Sequence, residues 1–133
     1  MIELSIVIVI VIILVVTVAP RFLSTLSSGS VDTASKQVAS ALRFARQMAI
    51  TTRHTTQVIA DANPTKVLVV SQASGDTLYI FGLSGGASVL ASTNNPTFQA
   101  RGTAVGATIT VGDAARSKQV IVNAVGRVRI QNP

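Results

Sequence analysis

Apolar and polar positions divide the 133 residues into three rhythms. Across residues 6–16 every side chain is Val, Ile or Leu, with no period at all. Beyond a polar stretch, Val31, Ala34, Val38, Ala41, Leu42, Ala45, Met48 and Ala49 recur at mostly three- and four-residue spacing. That spacing lines one face of a helix and predicts an amphipathic helix over 31–53. From Thr55 onward the apolar runs shorten to strand length and are broken by turn residues.

The first rhythm is ambiguous by residue type and is decided by length. In water a Val/Ile run favours a strand or an aggregating segment. As a helix, Met1 to Ala19 is roughly 28 Å long, about the thickness of a bilayer's hydrocarbon core. In lipid the backbone must satisfy its own hydrogen bonds, which outweighs the small helix cost of β-branched residues. Residues 1–29 therefore read as a membrane-spanning or filament-core helix segment. A cleaved secretory signal needs a basic start and small residues at its end, whereas this segment has Glu3 at its head and Pro20-Arg21 at its foot. A permanent single-pass anchor stays open, and Arg21 alone does not set its orientation.

Pro20 withdraws the hydrogen bond to the Val16 carbonyl and crowds it, which predicts a bend in a helix continuing past it. The following "STLSSGS", 24–30, is rich in weak helix formers and adds Gly29 as a second soft point. Glu3 has two readings. An acid in the first turn suits the helix dipole and sits near the interface. An acid in hydrocarbon costs about 2.5 to 3.5 kcal/mol on insertion scales, and such residues are kept where a positive partner answers them.

In the second rhythm the stripe is narrow and alanine-rich, which lets a helix lie close to a sheet. Lys36, Arg43 and Arg46 take the other side, as a solvated face or facing acidic neighbours. Strands are expected at 55–60, 66–71, 77–82, 87–91, 97–100, 107–111, 118–123 and 127–131, with "DANPT" (61–65) as a hairpin loop between the first two. The fold class is α+β: a long N-terminal hydrophobic helix whose C-terminal half packs on a largely antiparallel sheet spanning 55–131. The globular domain is 30–133.

Charge is thin. Eleven Lys and Arg against five Asp and Glu give +6, while charged residues are 12% of the chain, so no basic run or tail forms. With no cysteine, thiolate chemistry and disulfides are excluded. His54 is the single histidine and has no acid nearby in sequence, and Asp32, Asp61, Asp76 and Asp113 stand far apart. No enzyme, metal, cofactor or small-molecule substrate is expected.

Met1-Ile2-Glu3 followed by the Val/Ile run and Pro20 resembles the mature N-terminus of type IV pilins and type II secretion pseudopilins. Its usual pattern is Phe-Thr-Leu-Ile-Glu, so Met1-Ile2-Glu3 match the last three residues and the resemblance places two more in front. "ASALRFARQMAITTRHTTQVIA" (39–60) and "KQVIVNAVGRVRI" (118–130) resemble the GspH/FimT-type pilin domain. The resemblance implies the pilin fold, a leader removed by a prepilin peptidase, and a helix that waits in the bacterial inner membrane. The assembly machinery would then move it into the core of a periplasmic or extracellular filament. There Glu3 would pair with the N-terminal amine of a neighbouring subunit, and Pro20 would be the family's helix-bending proline.

The expected function is a structural subunit packed with copies of itself or related pilins. The small-residue stretch "LSGGASVLAST", 83–93, also suits repetitive packing. The alternative is a DNA-binding subunit. "GRVRI" places Arg127 and Arg129 on one face of a strand, with Arg116 and Lys118 approaching from the strand before. The chain has one Tyr and four Phe, and no aromatic-interleaved basic patch supports base stacking. Exposed edge-strand bases that block sheet-to-sheet aggregation are the plainer account of those four residues.

Overall fold

The computed structural model describes residues 2–60 and 63–133. Met1 of the N-terminal motif, and Asp61 and Ala62 of the expected hairpin loop, lie outside the described residues.

One helix, α1 (Ile2–Thr52), carries both the first and second rhythms. Its backbone stays helical through Pro20 and Gly29. The two helical segments expected from sequence are therefore one element with two environments. Along residues 2–18 every side chain is exposed. From Val31 the same helix is part of a core: Val31, Ala34, Val38, Ala41, Leu42, Ala45 and Ala49 are all buried. The expected stripe is thus the packed face, and its alanines let the sheets approach the backbone. The helix ends where Arg53 takes φ 57, the left-handed conformation that closes a helix at the residue after its last turn.

Among the described residues eight strands follow: β1 (Thr56–Ile59), β2 (Lys66–Ser71), β3 (Thr77–Gly82), β4 (Ser88–Ser92), β5 (Thr97–Phe98), β6 (Ala107–Gly112), β7 (Ser117–Val122) and β8 (Val128–Gln131). They form two four-stranded sheets rather than one, in the orders β3-β2-β1-β5 and β4-β6-β7-β8. All paired neighbours are antiparallel. The chain crosses between sheets from β3 to β4, from β4 to β5 and from β5 to β6, the last crossing tied where Phe98 bridges Ala104 and Val105 N–H donates to the Thr97 carbonyl. Alternation explains which face is buried. In β6, Ala107, Ile109 and Val111 point inward while Thr108 and Thr110 do not, and in β2 Val67 and Val69 are inward.

α1 contacts strands of both sheets. One continuous core results, with Leu42, Phe98, Ile109 and Val120 among its buried side chains. The loop after β3 is fastened to the helix. The Gln37 side chain donates to Ser84 Oγ at 2.9 Å and accepts from the Ser84 N–H at 3.2 Å. Gly85, at φ +81, lies against Ser30 so closely that a Cβ would meet the Ser30 Cβ at 2.5 Å. The small residues of 83–93 expected to pack against other subunits thus serve, in part, contact within the chain, and Ala87 is buried.

Candidate functional site

The stem, residues 2–18, presents side chains of Ile, Val and Leu that are each about half exposed or more, from 49% at Ile8 to 79% at Ile2. Ile2, Ser5, Ile6, Val9 and Ile10 line a shallow groove along one side of it. Their three- and four-residue spacing makes a ridge-and-groove surface of the kind another helix packs into. The polar side chain at the far end is internally satisfied, with Thr17 Oγ1 donating to the Ile13 carbonyl at 2.9 Å and the Leu14 carbonyl at 3.2 Å. A hydroxyl bonded back to its own helix loses little on entering apolar surroundings. Glu3 is exposed in the first turn of α1, the end of the dipole that favours an acid.

A span from Met1 to Ala19 was expected. Described side chains cover residues 2–18, about 25 Å of helix, and among the described residues no helix is long and apolar enough to cross a membrane.

The four basic residues expected to share a face occupy two ends of the second sheet. Arg116 lies in the turn between β6 and β7, where Asp113 Oδ1 accepts the N–H groups of Ala115 at 2.9 Å and Arg116 at 2.8 Å. Those two donors hold the Asp113 carboxyl below the usual carboxylate range. Lys118, at the start of β7, donates to Asp32 Oδ1 at 2.8 Å, and Lys36 pairs with Asp32 Oδ2 at 2.6 Å. Hydrogen bonds from Lys118 and then Lys36 pull the Asp32 carboxyl down to about 2. Lys118 is therefore already engaged, fastening β7 to α1. With Val31 and Asn132 it lines an opening of about 410 Å³ at the end of the domain nearest the stem.

Arg127 is at the other end. The β7–β8 turn is closed by Asn123, whose Oδ1 accepts the Arg127 N–H at 2.8 Å, with Gly126 at φ +78. Arg127 precedes β8 and Arg129 lies within it, both exposed. In the strand register Arg127 stands opposite Asn123 while Lys118 is five residues back, roughly 16 Å along the strand. The structure therefore brings Arg127 near Arg129 and keeps Arg127 from Lys118, while Arg129 stands opposite Ile121, three residues or roughly 10 Å from Lys118 and on the other face of the sheet.

Arg127 instead meets two arginines of α1 that were expected on a solvated face or facing acidic neighbours. Arg43, Arg46 and Arg127, with Gln47, Ile50 and Val128, line a cleft of about 360 Å³ between α1 and the β7–β8 turn. Arg46 is half-buried and its Nε donates to the Gly102 carbonyl at 3.1 Å. Gly126 lies against that same carbonyl, too close for a Cβ to fit. Sequence showed Arg43 and Arg46 on one helix side, but nothing in it linked them to a turn some eighty residues later. The Asp32–Lys36 pair was legible as an i,i+4 spacing, whereas the Lys118 contact was not.

The family described as "Type II transport protein GspH" matches residues 34–126. The fold is similar to the type IV minor pilin FimU of Pseudomonas aeruginosa, with TM-score 0.63 and 19% identity, covering 80% of this chain and 90% of that one. It is equally similar to the minor pseudopilin EpsH from the Type 2 Secretion System of Vibrio cholerae, with TM-score 0.64 and 11% identity, covering 78% of this chain and 98% of that one. No curated protein matches by sequence. The family match spans most of the chain, and its helix and paired antiparallel sheets form the fold shared with those two structures: the chain belongs to the GspH family of type II transport proteins.

Proposed function

We propose that this chain is a non-enzymatic structural subunit of a type IV pilus-like or type II secretion filament, assembled through the exposed half of α1. The observation that carries the reading is the division of one helix: its second half is core, while residues 2–18 hold their apolar side chains out with nothing covering them. Covering the half-exposed run at 6–16 would be worth on the order of 10 kcal/mol relative to water. The helix therefore waits in a lipid bilayer and then in a filament core, as a single-pass inner-membrane segment before assembly. Lipid already solvates these side chains, so the hydrophobic effect does not drive transfer from bilayer to filament. Direction comes from side-chain packing along the Ile2–Ile6–Val9 groove and from Glu3, paired with a neighbouring subunit's N-terminal amine. The chain meets prepilin peptidase and the assembly machinery before it enters a filament of copies or relatives. Pro20, whose ring cannot donate to Val16, is where the stem bends to fit that packing.

The test is filament assembly by the full chain carrying Glu3→Gln in cells with their own assembly machinery. Loss of filament incorporation with normal membrane levels is expected. Incorporation equal to the unaltered chain would overturn the role given to Glu3. The DNA-binding alternative keeps a narrower support, the exposed pair Arg127 and Arg129. Gel retardation of DNA across salt concentrations tests it, because phosphate contacts weaken steeply with salt.

A further inference from the structure

The cleft between α1 and the β7–β8 turn has no part in the assembly reading. Arg43 and Ile50 each lie three or four residues from both Arg46 and Gln47, so the four share one side of the helix beside Arg127 and Val128. Along the helix, Arg46 is roughly 65 Å from Glu3, far from the surface that packs the stem. Arg46 has an internal task, holding the Gly102 carbonyl. Arg43 and Arg127 are exposed. Among the described residues no carboxylate lies within ion-pair distance of Arg43, Arg46 or Arg127. Like charges gathered without an acid repel one another, and a bound anion reverses that cost.

We propose that this cleft docks an acidic segment of a partner protein, a carboxylate seated between Arg43 and Arg127 and an apolar side chain against Ile50 and Val128. Three features select that occupant. Guanidinium forks match a carboxylate's two oxygens. Each wall also carries an apolar side chain, Ile50 beside Arg46 on α1 and Val128 beside Arg127, with Ile50 43% exposed, which suits a peptide side chain. Among the described residues no aromatic ring lines the cleft, so a nucleic acid would find no stacking platform there. A second copy of this chain is a poor donor. Each copy carries +6 and so repels another, Asp32 is held by two lysines, Asp113 caps its own turn, Glu3 lies at the far end of the stem, and Asp76, exposed in the β2–β3 turn, is a single acid against the cleft's three arginines. The partner is therefore a different, acidic protein.

Fluorescence anisotropy on the full chain in nonionic detergent micelles tests this with three labelled probes: an eight-residue peptide alternating Glu and Leu, its Gln-for-Glu counterpart, and a thymidine oligonucleotide. The Glu peptide is expected to bind at least tenfold more tightly than the Gln peptide. The double variant Arg43→Ala/Arg127→Ala should lose that preference, while Arg116→Ala, at the other end of the sheet, should change binding less than twofold. Both altered residues are exposed, and an unchanged near-ultraviolet dichroism spectrum confirms that the variant is folded. Equal binding of the two peptides, or unchanged Glu-peptide binding by the double variant, would overturn the proposal. So would oligonucleotide binding tenfold tighter than that of the Glu peptide with the same dependence on Arg43 and Arg127. The stem is untouched in every arm, so this outcome is independent of the Glu3 experiment.

Discussion

Lys118 of β7 donates to Asp32 of α1 across 86 residues of sequence, at 2.8 Å. Lys36 holds the other carboxylate oxygen from one helical turn away. The contact sits just beyond Val31, where α1 passes from exposed stem to buried core. It fastens the second sheet to the helix at the point where any pull on the stem enters the domain.

That clamp is pH-dependent with a defined sign. The Asp32 carboxyl is drawn from 3.8 to about 2 by Lys118 and Lys36. A depressed carboxyl contributes stability that is present above its unfolded value and lost as pH falls through the folded one. Asp32→Asn should therefore lower the unfolding midpoint of the full chain in micelles above about pH 4, and the difference should close by about pH 2. Tyr79, the chain's one tyrosine, packs against Phe44 and Phe81 and supplies a fluorescence readout. A difference independent of pH would show that Asp32 acts other than as a charge.

Gly126 is where the arginine cleft depends on backbone. Its φ is +78, and a Cβ there would collide with the Gly102 carbonyl and crowd Arg46. Gly126→Ala combines left-handed strain with that collision and should cost about 2 kcal/mol or more, seen as a lower denaturation midpoint. Gly75, also left-handed at φ +74, has open space around its missing side chain. Gly75→Ala should cost about 1 kcal/mol from strain alone. Equal losses at the two positions would mean that the contact with Gly102 contributes nothing.

Leu42 is fully buried on the alanine-rich stripe. Leu42→Ala removes a large side chain from a face whose neighbours, Val38 and Ala45, are too small to fill the space. The expected loss is about 3 kcal/mol, within the range for Leu→Ala in cores. Denaturant unfolding would show it as a lower midpoint with an unchanged slope.

How much of this the sequence revealed varies with the range of the interaction involved. Helix and strand positions follow from local periodicity, so each expected strand has a counterpart within a few residues, and the Val31 to Ala49 stripe is the buried face. The division into two sheets depends on where β4 pairs. Ser88 to Ser92 lies beside β6, not β3, and nothing local in "SVLAS" distinguishes the two. That Lys118 lies five residues from the position opposite Arg127 was hidden for the same reason. Alternation fixes the face of a strand but not which end of the strand a residue occupies. The arginine cleft needed Gly102, Gly126 and Arg46 to converge from three segments, a three-body contact that spacing along one chain does not encode.

Arg53 ends α1 at φ 57, a conformation that costs a residue with a Cβ roughly 1 to 2 kcal/mol. Glycine is the usual occupant of this position because it has no Cβ to clash. Replacing Arg53 with glycine relieves that strain but adds freedom to the unfolded chain, which offsets part of the gain. The Arg53 side chain is exposed, so little packing is lost with it. Arg53→Gly should therefore stabilise the domain by about 0.5 to 1 kcal/mol, whereas Arg53→Val, β-branched at the same φ, should destabilise it. Thermal unfolding of the two variants beside the unaltered chain gives opposite shifts if the left-handed backbone sets the stability here. A glycine variant no more stable than the valine variant would place the cause in the lost arginine side chain instead.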